Sequence, residues 1–196
     1  MDNILYLDDF INLYSKKNHA LIILKPYRNT LRNGMIIDRH KFIKKFQKII
    51  DEYNLGSTFF NENIFIVINN LHTYEDKILL KDIMEELNYK NIKFIQETEY
   101  LKLNKDNIYI NYNNSYFYIL YINELGKIEV NLYKKDDINN GVIKYIIKSL
   151  NAKNIILYGK NIKELENILK KEKIDYYFYD DSDNLLIKFL LHNKKV

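Results

Sequence analysis

The chain has 196 residues, 47% of them hydrophobic, so it is long enough for one large domain or two small ones with a real core. Its 30 basic and 26 acidic residues leave a net charge of +4, which indicates a mixed surface and not the basic stripe of a nucleic-acid-binding protein. The absence of cysteine excludes disulfides, thiolate metal sites and cysteine nucleophiles.

Two further features of the composition bear on origin and location. There are only 5 glycines and 1 proline, while Ile, Asn, Lys and Tyr are used heavily, which is typical of an AT-rich genome. The N-terminus, Met1-Asp2-Asn3, lacks the basic and apolar regions of a signal peptide. No apolar run approaches the roughly 20 residues that a transmembrane helix needs. We therefore expect a cytoplasmic protein.

The first half of the chain alternates predicted strands and helices. Apolar runs predict strands at residues 4–7 and 20–24. Asp38 is a predicted N-cap of a helix with apolar residues at helical spacing: Phe42, Phe46, Ile49, Ile50 and Tyr53. A continuous apolar run predicts a buried strand at residues 63–68. Next come a helix at residues 74–87, with Ile78, Leu79, Ile83, Met84 and Leu87 inward, and a strand at residues 92–95. This β-α-β order predicts parallel pairing.

The second half opens with three consecutive predicted strands, at residues 107–112, 115–122 and 127–133. Their turns are Asn113-Asn114 and Glu124-Leu125-Gly126. The remaining predicted elements are a helix at 138–150, a strand at 154–158, a helix at 162–173, a strand at 175–179 and a last helix capped by Asp181 or Ser182. There is no internal repeat of fixed period. Charged and turn-forming residues near 134–140 predict a boundary between domains 1–134 and 135–196.

Few side chains form a pattern with chemical meaning. The four histidines lie far apart in sequence, and none belongs to a metal-ligand motif, so we predict no metal site. Asp180, Asp181 and Asp183 are best interpreted as helix-capping residues. Asp8 and Asp9 follow the first strand, where α/β enzymes often keep a catalytic or metal-binding carboxylate. We favour the simpler interpretation that they form a solvated turn.

Four segments, taken in order, resemble the bacterial actin family and above all MreB-type filament proteins. Residues 23–27 and 31–38 together resemble the family's "I-R-P-L-K-D-G-V-I-A-D" motif. The sequence of residues 31–38 is Leu-Arg-Asn-Gly-Met-Ile-Ile-Asp. Residues 64–68 with 73–77 resemble its strand and "T-x-V-E-R-R" helix start. Residues 92–97 resemble "V-Y-L-I-E-E-P", and residues 155–159 resemble "I-V-L-T-G-G-G". FtsA- and PilM-like relatives share this fold. The resemblance implies an α/β, actin-like (ribonuclease H-like) core with a mixed sheet, flanking helices and a reduced second half.

The family holds nucleotide in three glycine-rich elements, and this sequence departs from all three. The first falls on residues 6–12, where no glycine remains and Asp8 and Asp9 would face a polyphosphate. The second falls on residues 111–117. Its metal-facing aspartate is replaced by Asn111, and the turn carries the side chains of Asn113, Asn114 and Ser115. The third keeps only Gly159. Glu75 matches the family's glutamate near the attacking water, but without phosphate loops we favour its interpretation as a first-turn helix acid.

The resemblance therefore implies a non-catalytic actin-like protein without a cofactor. It would act through a protein partner or self-association in a cytoskeletal, cell-shape, division or pilus-type assembly. One alternative is a divergent small ATPase that uses Asp8, Asp9 and Glu75 with magnesium and ATP. A second alternative, a nucleic-acid-binding module, is suggested only by the basic isoelectric point of about 8.9.

Overall fold

A computed structural model describes residues 2–7, 10–15, 20–25, 27, 29–32, 34–55, 63–101, 103–112, 116–134, 140–150, 153–158 and 162–179. The chain divides into two compact units, Met1–Glu99 and Tyr100–Val196. None of the helices in these described ranges is long and apolar enough to span a membrane.

The first unit is built on a mixed five-stranded sheet. Its strands and a separate short hairpin are, in chain order, β1 (Asp2–Leu7), β2 (Ile11–Ser15), β3 (Ala20–Leu24), β4 (Leu31–Arg32), β5 (Met35–Ile36), β6 (Asn63–Ile68) and β7 (Asn91–Gln96). The five-stranded sheet has the order β3-β2-β1-β6-β7, and β4 pairs only with β5. The strands β3, β2 and β1 are antiparallel to one another, whereas β1, β6 and β7 are parallel. The predicted parallel β-α-β unit is confirmed.

Two long helices cover one face of this sheet. Helix α1 (Arg39–Glu52) begins at Asp38, whose side chain accepts a hydrogen bond from the Lys41 N–H, as predicted. Helix α2 (Tyr74–Glu86) begins with a capping box formed by Thr73 and Asp76. A short helix, α3 (Glu97–Leu101), follows β7. The core joins the sheet to both long helices through residues such as Leu5, Leu7, Ile66, Phe42, Phe46, Ile83 and Met84.

Two apolar residues of the predicted helical patterns are exposed, and one of them, Ile78, was predicted to face inward. Ile78 is 44% exposed and Tyr53, the C-cap of α1, is 38% exposed. The buried face of α2 runs through Leu80, Ile83, Met84 and Leu87. That spacing of three and four residues leaves Ile78, two residues before Leu80, on the other side of the helix.

The second unit repeats the topology of the first. Its elements are β8 (Asn107–Tyr112), β9 (Tyr116–Ile122), β10 (Ile128–Lys134), α4 (Asn140–Ser149), β11 (Asn154–Tyr158), α5 (Ile162–Lys171) and β12 (Tyr177–Phe178). The sheet order is β10-β9-β8-β11-β12, with β8 antiparallel to β9 and parallel to β11. Helices α4 and α5 pack on one face through Ile143, Ile147, Leu165 and Leu169. The two units share a strand order without sharing a sequence repeat.

The observed division corrects the predicted domain boundary. We predicted domains 1–134 and 135–196, but the structure divides the chain between Glu99 and Tyr100. The reason is that β8, β9 and β10 belong to the same sheet as β11 and β12. The second unit is therefore not a remnant confined to residues 135–196, because it has as many sheet strands as the first. The final helix predicted after Asp181 or Ser182 lies outside the described residues.

A polar cluster lies at the carboxyl end of β1 and β6. Gly34 has a φ of +84°, and a Cβ built on it would lie 2.5 Å from the Leu7 carbonyl oxygen and 3.1 Å from His72 Cε1. The His72 ring contacts acceptors on both sides, with Nδ1 2.8 Å from Asn69 Oδ1 and Nε2 3.3 Å from the Gly34 carbonyl oxygen. Asn69 Oδ1 also accepts a hydrogen bond from the Leu71 N–H. The β4–β5 hairpin is thereby held against the end of the sheet.

We predict that Gly34→Ala lowers the free energy of unfolding by about 2 kcal/mol or more, because the methyl group meets a carbonyl oxygen and the backbone has positive φ. Gly126→Ala is the matched control, since Gly126 has a φ of +78° but open space around its Cβ position. Urea unfolding of both variants checks this. Equal losses in the two variants would contradict the role of the close contact at Leu7.

We predict that protonation of His72 lowers the free energy of unfolding in acid. Burial lowers its pKa below the ordinary value of 6.5, and this outweighs the opposing effects of Asp76 and of the hydrogen bonds to Gly34 and Asn69. The folded state therefore favours the neutral ring, so this contribution is complete above pH 6.5 and is lost as the pH falls below it.

The test compares urea midpoints between pH 7.5 and 5.5 for the wild type, His72→Asn and His40→Asn. The His72→Asn variant should lose less stability over this range than the wild type. The exposed His40 serves as the control, and its variant should follow the wild type. Parallel curves for all three proteins would show that His72 does not contribute.

Candidate functional site

The predicted phosphate elements fall at equivalent places in the two units. Residues 6–12 span the β1–β2 hairpin, and residues 111–117 span the β8–β9 hairpin. Each is the turn that follows the central strand of its sheet. Gly159 would follow β11 directly, because that strand ends at Tyr158. Asp8, Asp9, Asn113, Asn114, Ser115 and Gly159 themselves lie outside the described residues.

In the first unit, the side chain of Asn12 ties the two sides of the hairpin together. Its Nδ2 donates hydrogen bonds to the carbonyl oxygens of Tyr6, at 3.2 Å, and Phe10, at 3.4 Å. Asn12 is only 4% exposed, so this amide is part of the packed structure. A phosphate loop binds its ligand with backbone N–H groups that converge on an open concavity. Here a side chain is instead directed at backbone carbonyls across the base of the turn.

The polar cluster at His72 supplies no positive charge beside this turn. Burial lowers the pKa of His72, so the ring is neutral near pH 7. In the neutral ring only one nitrogen carries a proton, so His72 donates to either Asn69 Oδ1 or the Gly34 carbonyl oxygen, and neither nitrogen is directed at the turn. A polyphosphate commonly needs cations or metal ions to offset its charge, and His72 does not provide one at neutral pH.

Glu75 lies in the first turn of α2, where the sequence placed it, and its side chain is exposed. Its pKa is lowered, first by a hydrogen bond from its own backbone N–H and second by the side chain of Thr73. A general base for water attack usually has a pKa raised toward neutrality. The lowered pKa of Glu75 instead matches a carboxylate that interacts with the N-terminus of its helix.

In the second unit, two tyrosine rings converge over Asn111. Asn111 lies on the central strand β8, directly opposite Tyr118 of β9 and Tyr158 of β11. Strands that flank a common neighbour are about 10 Å apart, yet the ring centroids of Tyr118 and Tyr158 are only 6.1 Å apart, with the rings at 82°. The rings therefore lean toward each other above Asn111. All three side chains are buried, with Asn111 6% exposed.

This arrangement leaves little room for a hydrated metal ion. Magnesium in nucleotide sites keeps several waters and is bound through carboxylates and phosphate oxygens. The counterpart residue here is a neutral amide, and it is enclosed by Tyr118 and Tyr158 with Leu101, Tyr109 and Leu120 nearby in the same cluster. An ion at this position would lose its hydration without gaining a compensating charge.

Phe117, the last residue of the second predicted phosphate element, lies on the opposite face of the sheet from Asn111. Phe117 is fully buried, but it belongs to the cluster with α4 and α5, and its ring lies 5.6 Å from that of Tyr133. Because side chains alternate along a strand, Phe117 and its neighbour Tyr118 are on opposite faces of the sheet. Tyr118 and Tyr158 are the residues that sequence reasoning missed. The side chains of Tyr112 and Tyr116 lie outside the described residues.

Comparisons by sequence identify no relative, since no family model and no curated protein matches the chain. Comparisons by structure identify proteins of similar fold. MreB5 of Spiroplasma citri bound to AMPPNP matches with a TM-score of 0.60 and 11% identity, over 100% of this chain and 96% of that chain. The ethanolamine utilization protein EutJ from Carboxydothermus hydrogenoformans gives a TM-score of 0.63 and 11% identity, over 93% and 86%.

A third match is a Bacteroides thetaiotaomicron protein described as having an actin-like ATPase fold and unknown function. Its TM-score is 0.57 and its identity 15%, over 97% of this chain and 95% of that one. At these identities the likeness establishes the fold. The predicted fold class is therefore confirmed: this chain of 196 residues has an actin-like fold, with mixed sheets and flanking helices.

Proposed function

We propose that this chain is a non-catalytic actin-like protein with a defunct nucleotide site. It acts through protein contacts, as a partner, cap or scaffold of a bacterial cytoskeletal, cell-shape, division or pilus-type assembly. The observation that carries the proposal is the convergence of Tyr118 and Tyr158 over Asn111. It places buried aromatic packing at the counterpart of the family's metal-facing acid.

Two features of the first unit support the same conclusion. The Asn12 amide occupies carbonyl groups at the base of the β1–β2 hairpin, and no glycine occurs in residues 6–12 to let a phosphate approach the backbone. The sequence also puts Asp8 and Asp9 in that hairpin, where two carboxylates would repel a polyphosphate. A fold that keeps both sheets while losing phosphate-binding features is suited to protein contacts.

Isothermal titration calorimetry of the purified full chain with ATP and magnesium tests the proposal directly. We expect no heat beyond dilution at nucleotide concentrations up to about 1 mM, which corresponds to a binding free energy weaker than about −4 kcal/mol. The same titration with ADP is a second arm. Saturable binding of MgATP with a dissociation constant in the micromolar range or tighter would contradict the proposal.

Restoring the acid at residue 111 should not restore a metal site. In Asn111→Asp, a carboxylate replaces a buried amide, and we expect the free energy of unfolding at pH 7 to fall by about 1–3 kcal/mol. Asn104→Asp is the control, because Asn104 is exposed and its Oδ1 accepts a hydrogen bond from the Asp106 N–H, which an aspartate can also do. Thermal unfolding of both variants with and without MgATP measures the effect. A rise in Tm with MgATP in Asn111→Asp alone would show that the site still admits the metal.

The alternative, a divergent small ATPase that uses Asp8, Asp9 and Glu75 with magnesium, is favoured by one observation. Glu75 is exposed at the first turn of the helix after β6, the position that the family resemblance assigns to it. We expect no ATP turnover above buffer for the wild type. Steady turnover that is abolished by Glu75→Gln, and kept by Asp82→Asn on the exposed face of the same helix, would establish the alternative instead.

A further inference from the structure

Strand β10 is an edge strand with an exposed apolar stripe. In the described part of the chain it pairs only with β9, so its other side carries no strand. Alternate residues on one face of β10 are exposed: Ile128 by 49%, Val130 by 36% and Leu132 by 47%. Edge strands in natural proteins are normally protected by charges, bulges or proline. Three aliphatic residues in a row on one face are the opposite of that protection.

The backbone of the same three residues is also directed toward the open side. The Asn123 N–H donates to the Lys127 carbonyl oxygen at 2.8 Å, which begins the ladder between β9 and β10. In an antiparallel ladder the bonded residues alternate along each strand. The odd-numbered residues of β10 therefore bond to β9, and Ile128, Val130 and Leu132 direct their N–H and C=O groups away from it.

We propose that β10 pairs with β10 of a second copy of this chain, antiparallel, about a twofold axis at Val130. Val130 then faces Val130 of the other copy, and Ile128 faces Leu132 in both directions. Each facing pair exchanges two backbone hydrogen bonds, about six in all. The exposed stripes of the two copies meet as one apolar patch on a continuous sheet. An isologous contact of this kind closes as a dimer.

The charges on β10 select this register over its neighbours. If the twofold axis moves by one residue to Glu129, Glu129 lies opposite Glu129 of the other copy, which is unfavourable for like charges. If the axis moves to Asn131, Lys134 lies opposite Ile128. With Val130 on the axis, Glu129 faces Asn131 and Lys127 faces Tyr133. No like charges are then directly opposed along the strand.

This inference rests on the proposed function only in that the protein acts through protein contacts. Its outcome is independent of nucleotide. A protein that binds MgATP and dimerises through β10 would refute the defunct site but keep the dimer. A monomeric protein that does not bind MgATP would refute the dimer but keep the defunct site.

Sedimentation velocity of the full chain over a range of concentrations is the first test. We expect a reversible dimer, and Val130→Lys should raise its dissociation constant at least about tenfold, because two lysines then meet at the axis. The matched control is Leu125→Lys in the neighbouring turn, where Leu125 is 81% exposed and outside the stripe. Circular dichroism of both variants checks that each is folded.

Cysteine cross-linking tests the register in a protein whose wild type has no cysteine. Under mild oxidation Val130→Cys should form a disulfide-linked dimer, since the Cα atoms of a bonded antiparallel pair lie about 5.5 Å apart. Ile128→Cys alone should not, because its two copies would be about 14 Å apart along the strands. An equal mixture of Ile128→Cys and Leu132→Cys should cross-link.

The proposal is overturned by a wild type that stays monomeric at all concentrations. It is equally overturned by a dimer that Val130→Lys leaves unchanged, or by Ile128→Cys cross-linking as readily alone as it does when mixed with Leu132→Cys.

Discussion

Each unit depends on a central strand that is hydrogen-bonded in two different ways. Strands β1 and β8 each pair antiparallel with the next strand in the chain and parallel with a strand that comes later. The antiparallel side requires only a tight hairpin, whereas the parallel side requires a helical crossover. This constraint puts a short turn at the carboxyl end of each central strand and both long helices of each unit in the crossovers. The turn is the place where this architecture can hold a phosphate or can be closed by packing.

In both units the described side chains around that turn favour closure. Asn12 directs its amide at the carbonyl oxygens of Tyr6 and Phe10, and Asn111 lies beneath two tyrosine rings. Both arrangements bury a neutral amide where a ligand site would need open space and exposed donors. Burial of the Asn12 amide is tolerated because both hydrogen bonds of its Nδ2 go to backbone carbonyl oxygens. The loss of nucleotide binding that we propose and the packing around both turns would then have the same structural cause.

Much of the fold could be predicted from the sequence. Strands β3, β6 and β11 have their predicted bounds, because each coincides with a nearly continuous apolar run in the sequence. Strand β2 was not predicted. Two of its buried residues, Asn12 and Ser15, are polar, so the apolar pattern that marks a buried strand is interrupted. The domain boundary was missed because the repeated strand order has no counterpart in the sequence. Pairing between β8 and β11 spans more than 40 residues, and a local pattern does not report it.

The sequence predicts where the two hairpins and Glu75 lie, but not which side chains pack around Asn111. The motifs located both hairpins and Glu75, because glycine, acid and turn residues have fixed places relative to strands and helices. Tyr118 and Tyr158 could not be found in this way, since they approach each other across an intervening strand. Only the register of three strands brings them over Asn111. The same register puts Phe117 on the opposite face from Tyr118, because successive residues of a strand alternate between faces.

The most direct measurement is a crystal structure of the protein grown with magnesium and AMPPNP at millimolar concentration. Our account predicts that the rings of Tyr118 and Tyr158 remain packed over Asn111 and that no nucleotide density lies beside either hairpin. Triphosphate density at the β8–β9 turn, with the two rings displaced and a metal ion near Asn111, would contradict it.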